Sequence, residues 1–458
     1  MDRSLECVSP IDGRYNHYTS KLSKYFSEKA LIIYRLRIEI EYLIYLLKVL
    51  KIGISKDKER YNNFKSILRK LYTNIKDEYI IEIKENERKV NHDVKAVEIF
   101  LRKKLQEYKY QKYNEFVHFG LTSQDINSTA YMLSLFEANN NVLKPYLISL
   151  SIDIEQLIIK YDNVPMLSRT HGQPASPTIL GKELNVFTYR LNKQLGLLKC
   201  YEYSTKFGGA VGNFNSHVVT YPNVDWLKFG DQFIKSFGFK RNKYTTQIDN
   251  YDNYSELFDL FKRISVILLD LSRDMWLYIS LDYFKQKCIA EEVGSSTMPH
   301  KINPINFENA EGNLQMAITF FEFMSKKLPV SRLQRDLTDS TVLRNIGTCY
   351  GYLLISIRSL REGFKRIEPN LEKINEDLNK HSIVLAEAIQ SILRREGVEN
   401  SYDIIKEITR DGSTFSIHKI LDSIENKIEK NTKKDKIIED IRDLDVNKYV
   451  GITKMTNY

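Results

Sequence analysis

Apolar residues return at steps of three and four along most of this chain, and few residues interrupt the rhythm. Leu36, Ile40, Leu43, Leu47 and Leu50 form one series, and Phe261, Ile264, Leu268, Leu271 and Met275 a second. Tyr350, Leu353, Ile357, Leu360 and Phe364 form a third. Such spacing lines one stripe of a helix, whereas a half-buried strand would alternate. Residues 142–160 and 313–328 read the same way, and 275–290 continues the second series without a breaker, which predicts an unusually long helix. Only 19 of 458 residues are glycine and 10 are proline, and they cluster. Long helices joined by such breaks predict an all-α chain built on a bundle.

Composition narrows the class. The chain has no run of 18 or more apolar residues, so no membrane-spanning helix is expected, and the opening MDRSLECVSPIDGRY lacks the apolar centre of a secretion signal. The expected location is the cytoplasm. Cys7, Cys200, Cys288 and Cys349 form no CxxC pair, which predicts buried reduced thiols and neither a disulfide framework nor a zinc site. The net charge of +9 is spread along the chain. It permits nucleic-acid binding, and suits attraction of a small polyanion equally well. A rise in charge after residue 364 and the breaks before it suggest three parts: 1–112, a long helical middle at 113–364, and 365–458.

Three breaks concentrate reactive side chains: 118-HFGLTSQDINS-128, 168-SRTHGQPASP-177 and 294-GSSTMPHKINP-304. The last sets a mobile glycine beside two hydroxyls, a lysine and an amide, framed by Pro299 and Pro304. Those groups suit a lid closing on a carboxylate, although glycine and serine are also common in a plain solvated turn.

The string GSSTMPHKINP resembles the GSSxMPxKxNP signature of the fumarase/aspartase superfamily, whose members expel fumarate by β-elimination. In chain order, 122-TSQD-125 and 169-RTHGQPA-175 are similar to that superfamily's TSxD and THxQxA stretches. Within it, 9-SPIDGRY-15, 91-NHDVKAVE-98, 168-SRTHGQPASPTILGKE-183, 209-GAVGNFN-215 and 245-TTQIDNYDNYSELF-258 resemble the bacterial-type adenylosuccinate lyase branch, as does the histidine of 298-MPHK-301. The likeness runs from about residue 8 to about residue 350, and the tail is less distinctive. It implies a three-domain fumarase/aspartase-like fold whose long central bundle is shared in a homotetramer, each active site drawing on several subunits.

The implied reaction releases fumarate from adenylosuccinate, leaving AMP, and from succinylaminoimidazole carboxamide ribotide, leaving the carboxamide ribotide. A base must take a proton from the carbon beside a carboxylate, fixed donors must hold the charge that develops, and an acid must protonate the departing nitrogen. By resemblance Ser295 is the base and His171 the acid. On its residues alone His171 reads first as a hydrogen-bonded turn histidine between Thr170 and Gly172.

The remaining assignments concern binding. The segment 335-RDLTDSTVLR-344 resembles a phosphate-binding stretch, which points to Arg335, Ser340 and Arg344. An arginine fork matches phosphate oxygens, though Arg335 could also pair with Asp336 or Asp339 on the surface. Arg14 and Tyr15 resemble nucleotide contacts, and Asp12-Gly13 is also a common turn pair. Asn91, His92 and Asp93 resemble a polar cluster at the substrate, and Thr122 and Ser123 the hydroxyls that grip the succinyl carboxylate, a role that competes with helix capping. Gln247, Ser296, Lys301, Asn303 and Asn309 complete the set, with Glu308 expected to order Lys301. His118 reads as structural.

The sequence shows no metal-ligand cluster, dinucleotide fingerprint or phosphate loop, so no metal or cofactor is expected. The competing readings are another fumarate-releasing lyase (argininosuccinate lyase or fumarase), an inactive superfamily member with a structural role, and a helical nucleic-acid-binding protein. The last would need a basic stripe, and no recognised nucleic-acid motif supports it. The expected partners are nucleotide substrates and further copies of this chain, with neither nucleic acid nor membrane.

Overall fold

The computed structural model describes residues 3–287, 297–410, 420–422, 424 and 432–453. Helices dominate. The longer ones are α1 (Glu28–Val49), α2 (Lys58–Thr73), α3 (Asp77–Val90), α4 (Asp93–Glu107), α5 (Ser123–Ala138), α6 (Lys144–Lys160), α7 (Leu180–Cys200), α8 (Trp226–Lys235), α9 (Asp252–Ser280), α10 (Ile305–Lys327), α11 (Ile346–Lys365), α12 (Leu371–Lys380), α13 (Ala386–Arg395) and α14 (Thr432–Arg442). Among the described residues the strands make three two-stranded ladders: β1 (Pro165–Thr170) antiparallel to β2 (Gln173–Ile179), β3 (Ser204–Lys206) parallel to β4 (Lys240–Asn242), and β5 (Phe284–Gln286) antiparallel to β6 (Ile367–Pro369). The all-α expectation holds, and no described helix is long and apolar enough to cross a membrane.

The chain forms two compact units. The first comprises Met1–Ile148, Lys193–Leu269 and Asn309–Ser359, and the second Ser149–Asn192, Asp270–Glu308 and Leu360–Tyr458. At the centre of the first unit lies α1, apolar on nearly every side, so that Leu36, Ile38, Ile40, Tyr42, Leu43, Leu46 and Leu47 are fully buried. The Ser27 hydroxyl caps its start by accepting from the Ala30 N–H at 3.1 Å. Phe64 and Leu68 of α2, Ile83 of α3, and Val97, Phe100 and Leu101 of α4 pack with the predicted stripe of α1. Cutting any one of these leucines to alanine would cost about 2–5 kcal/mol.

The second unit has two smaller cores. Ile389 and Leu393 of α13 meet Ile405, Ile420, Leu421, Ile424, and Ile437 and Ile441 of α14. Leu167 of β1 meets Leu378, Leu385 and Val446.

Each predicted helical stripe falls in a helix, with two departures. The segment 142–160 enters through a π turn, Asn139–Leu143, that follows α5 directly. The series through 275–290 stops at Ser280: α9 spans 29 residues, about 44 Å at 1.5 Å per residue, and then ends. Asp282 takes a left-handed φ of 59°, the Tyr283 N–H returns to the Tyr278 carbonyl at 2.9 Å, and the Asp282 N–H to Ile279 at 3.0 Å. That six-to-one closure ends a helix without glycine, so no breaker was visible. The thiols also depart from expectation. Cys349 is buried, but Cys7, just after the short helical turn Arg3–Glu6, and Cys200, the last residue of α7, are exposed, and Cys288 lies outside the described residues.

Candidate active site

In the first unit Asn91, His92, Asp93, Thr122, Ser123 and Arg344 gather around the N-terminal ends of α4 and α5. His92 is the N-cap of α4, its Nδ1 accepting from the Lys95 N–H at 3.1 Å. An accepting Nδ1 leaves Nε2 as the protonated nitrogen of a neutral ring, and Nε2 lies 3.4 Å from the Ser123 Oγ. Next to it Asp93 accepts from Arg35 at 2.6 Å and from Arg344 at 2.9 Å. Burial alone would raise the Asp93 carboxyl, but Arg35, the Val94 N–H and Arg344 together hold it below the usual carboxylate range. Arg35 also donates to Asn127 at 2.8 Å. Asn91, with φ of 51°, closes the preceding helix in the left-handed conformation that asparagine tolerates.

Thr122 is the N-cap of α5, in extended conformation, and its N–H donates to Asp125 at 2.8 Å. Thus the capping reading of the Thr-Ser pair is realised in the backbone, while the Ser123 hydroxyl faces His92. Asp125 does more than cap. It is fully buried, pairs with the fully buried Lys206 at 2.7 Å, and accepts from the Gly208 N–H at 2.8 Å and the Gly209 N–H at 3.1 Å. This explains why 122-TSQD-125 and 209-GAVGNFN-215 go together: the carboxylate ties the glycine loop to α5.

Two histidines hold the loop leading into Thr122. His118 Nδ1 lies 2.5 Å from Glu39 and Nε2 3.8 Å from Glu98. Burial pulls its pKa down, but the two carboxylates more than reverse that and raise it to about 8. His217 is buried among aromatic rings, its Nε2 lies 2.9 Å from the Tyr42 hydroxyl, which gives its own proton to the Phe119 carbonyl, and its pKa is lowered by burial to about 4. Its ring fills the space where any Gly120 side chain would begin, 2.5 Å away, and Gly120 has φ of 70°. Only glycine fits there.

A second group joins Arg335, Ser340 and Gln247. The Arg335 guanidinium donates to the Gln247 side-chain oxygen and to the Ser340 hydroxyl, both at 3.4 Å. Its Nε is buried without a hydrogen-bond partner, and it has no carboxylate partner among the described residues. The surface pairing considered from sequence is not formed: Asp336 pairs with Arg332, and Asp339 is buried, accepting from Tyr251 at 2.8 Å and Gln124 at 3.3 Å. Arg335 is therefore a half-buried cation ready for an anion. Arg344 stands apart from this group, its charge taken by Asp93 and by Glu28 at 3.2 Å.

Near the start of the chain, the Tyr15 hydroxyl donates to Asn309 at 2.7 Å, and Asn309 donates to Ser359 at 2.7 Å. Arg14 is exposed and borders an open cavity of about 700 Å³ shared with Pro10, Gly13, Asn16 and His17. Asp12-Gly13 forms a turn into a short helix, Asn16–Thr19, so the turn reading of that segment is realised.

The second unit carries His171, Lys301 and Asn303. The segment read as a break at 168–177 is a β-hairpin: Thr170 pairs with Gln173, leaving His171 and Gly172 as a two-residue loop with φ of 54° and 74°. Positive φ at both positions is the type I′ geometry that suits the twist of a hairpin. The His171 side chain is exposed and makes no hydrogen bond or ion pair among the described residues. Lys301 is exposed, its N–H bonded to the Met298 carbonyl at 3.0 Å, and Gln286 donates to the Ile302 carbonyl at 2.7 Å. Glu308 forms no ion pair with Lys301 among the described residues; it accepts from the Trp276 indole of α9 at 3.1 Å. Gly294, Ser295 and Ser296 lie outside the described residues.

Sequence reasoning missed Arg35, Asn127, Asp125, Lys206, Gln124, Asp339 and Tyr251. The available signals were polar residues inside apolar stripes, above all Arg35 and Glu39 on α1, where an unpaired charge would be prohibitive.

Family models match most of the chain: one described as "Lyase" over residues 13–318 and one as "Adenylosuccinate lyase C-terminal" over 331–450. Adenylosuccinate lyase from Dictyostelium discoideum is 48% identical over 413 residues, covering 89% of this chain and 88% of that protein. Those from Haemophilus influenzae and Escherichia coli are 46% and 45% identical, each with 89% of both chains covered. Among solved structures, a fumarate lyase from Mesorhizobium aligns with a TM-score of 0.74 at 16% identity, covering 95% of each chain. A 3-carboxy-cis,cis-muconate lactonizing enzyme from Pseudomonas putida aligns with a TM-score of 0.72 at 17% identity, covering 96% of each. These two share the fold.

Proposed function

Because the chain belongs to the adenylosuccinate lyase family of the fumarase/aspartase superfamily, we propose a division of labour for that family's reaction among the residues described above. The reaction is a carbon–nitrogen lyase step in purine nucleotide synthesis: adenylosuccinate loses fumarate and leaves AMP, and the succinylated carboxamide ribotide loses fumarate in the same way. Ser295 takes the proton from the carbon beside the succinyl carboxylate. Lys301, Asn303 and the Ser296 hydroxyl meet the charge pushed onto that carboxylate, since fixed donors count most where charge develops. His171 gives its proton to the nitrogen as the C–N bond breaks, imidazole being suited to proton transfer near neutrality.

Arg335 is the observation that carries the nucleotide reading. A half-buried guanidinium flanked by a hydroxyl and an amide, with no carboxylate to neutralise it, is suited to a phosphate. Ser123 and Thr122 hold the other succinyl carboxylate, with neutral His92 behind Ser123. Arg14, Tyr15, Asn91 and Asn309 border the nucleotide, and Asp93 fixes Arg344 toward it.

The active unit is a homotetramer in the cytoplasm with sites shared between subunits. Large apolar side chains left exposed on the long helices support assembly: Ile152 and Ile159 on α6, Tyr189 on α7, Leu277 on α9 and Phe323 on α10. The three-part division at residues 112 and 364 is retained as a proposal for how the tetramer is organised, the middle part forming the shared bundle.

One assay tests the reading. Purified chain incubated with adenylosuccinate should abolish its characteristic absorbance and release fumarate, and Ser295→Ala should release almost none. Conversion of argininosuccinate or malate instead would replace this reading with another branch of the superfamily.

A further inference from the structure

The hairpin bearing His171 poses a mechanical problem. An isolated two-stranded hairpin is marginal in water, and this one has a register irregularity between Met166 and Ser168. A proton donor on such a support would wander, and misplacement by about 1 Å can cost on the order of 100-fold in rate. Something must hold the hairpin still.

Besides Thr178, whose hydroxyl donates to Glu183 at 2.7 Å, the polar anchors of the two strands come mainly from the last hundred or so residues of the chain. Arg169, two positions before His171, donates to Asp377 of α12 at 2.7 Å. Asp377 is mostly buried and also accepts from the Tyr283 hydroxyl, while His381, one turn on, places Nδ1 3.2 Å from its other oxygen. Arg169 has no second carboxylate among the described residues, and its Nε is buried without a partner, so Asp377 is the charge that fixes the guanidinium, with the Tyr283 hydroxyl beside the pair. On the opposite strand the Ser176 hydroxyl donates to Glu387 of α13, which also accepts from Tyr449 at 3.1 Å. Between these two anchors Leu167 is buried against Leu378, Leu385 and Val446. Burial would raise the Asp377 carboxyl, yet Tyr283 and Arg169 hold it below the usual range, as expected of an anchor that stays ionised.

We infer that the C-terminal segment braces the His171 hairpin, with Asp377 as a positioning residue that fixes through Arg169 where the imidazole is presented. This rests on His171 being the acid. Asp377 touches no reacting atom; it restricts the hairpin that carries one that does.

The test compares wild type, Asp377→Asn, His171→Asn and the double variant, each as the full-length protein. For Asp377→Asn the expected result is a fall in kcat on the order of 10- to 100-fold with KM little changed, and faster hydrogen exchange at residues 165–179 while residues 28–49 stay protected. In the His171→Asn background the same change should lower the residual rate no further. Native kcat and native exchange in a folded Asp377→Asn protein would overturn the inference, as would an equal proportional loss with and without His171. If His171→Asn alone keeps full turnover, the acid assignment fails, while the exchange data still decide whether Asp377 holds the hairpin. Should Asp377→Asn not fold, Arg169→Gln breaks the same ion pair from the hairpin side and is judged by the same criteria.

Discussion

The N-terminal ends of α4 and α5 and the tip of the β1–β2 hairpin carry comparable chemistry in opposite conditions. At the helix ends the charged and imidazole groups are engaged: His92 caps a helix, Asp93 holds two arginines, and Asp125 binds a lysine and three backbone N–H groups. At the hairpin tip His171 engages nothing among the described residues. The contrast teaches that one chain ties together the helix-end groups by itself, while His171, the proton donor of the proposed reading, is left exposed. Binding groups gain from preorganisation, whereas on the proposed reading a donor that serves a site shared between subunits is left unsatisfied within its own chain.

The comparison can be broken most sharply at His171. His171→Asn should lower turnover by about 100- to 10,000-fold with an unchanged melting temperature, because its ring supports no local contact. A melting shift comparable to a core mutation would show that the tip is structural. The converse change is Lys206→Met, which strands Asp125 in the interior. It should cost about 3–5 kcal/mol in denaturant unfolding, and a smaller loss would mean the glycine loop is not tied down through that pair.

Arg335→Gln sharpens the binding half. It removes one charged anchor, worth about 1.5–3 kcal/mol, and should raise KM about 10- to 100-fold with kcat nearly intact. A drop confined to kcat would move Arg335 out of substrate binding.

The smallest effect is the one set by pH. The His118 pKa is raised to about 8 in the fold, from an unfolded value of about 6.5, so its ion pair stabilises fully below that value and fades as pH rises through about 8. His118→Gln should remove up to about 2 kcal/mol of stability at pH 6 and much less at pH 9, read from urea midpoints. A pH-independent deficit would count against the Glu39 pair as the cause.

The same contrast governs what was legible in the sequence. The stripe on α1 and the helices through 261–275 and 350–364 could be read directly, since burial against neighbours imposes their period. The end of α9 could not, because Asp282 supplies a left-handed turn with no glycine to announce it. The hairpin was hidden by prolines and short strands, and by a His-Gly turn in place of the commoner Asn-Gly. Arg35, Asp93 and Arg344 meet from three distant segments, a pairing that no local pattern encodes. The tail seemed least distinctive because charged residues dilute its apolar spacing, yet it has a family model of its own at 331–450 and supplies the anchors of the hairpin.

A loop whose two residues both wind left-handed leaves position 171 a very small alphabet. Asparagine, aspartate and glycine adopt that twist with ease, while valine or isoleucine would force the strands apart before any proton moved. Saturation mutagenesis there would therefore sort variants twice, first by whether the corner can be turned and only then by what the side chain can donate. An inactive valine variant would thus say little about acid catalysis, and an inactive asparagine variant a great deal.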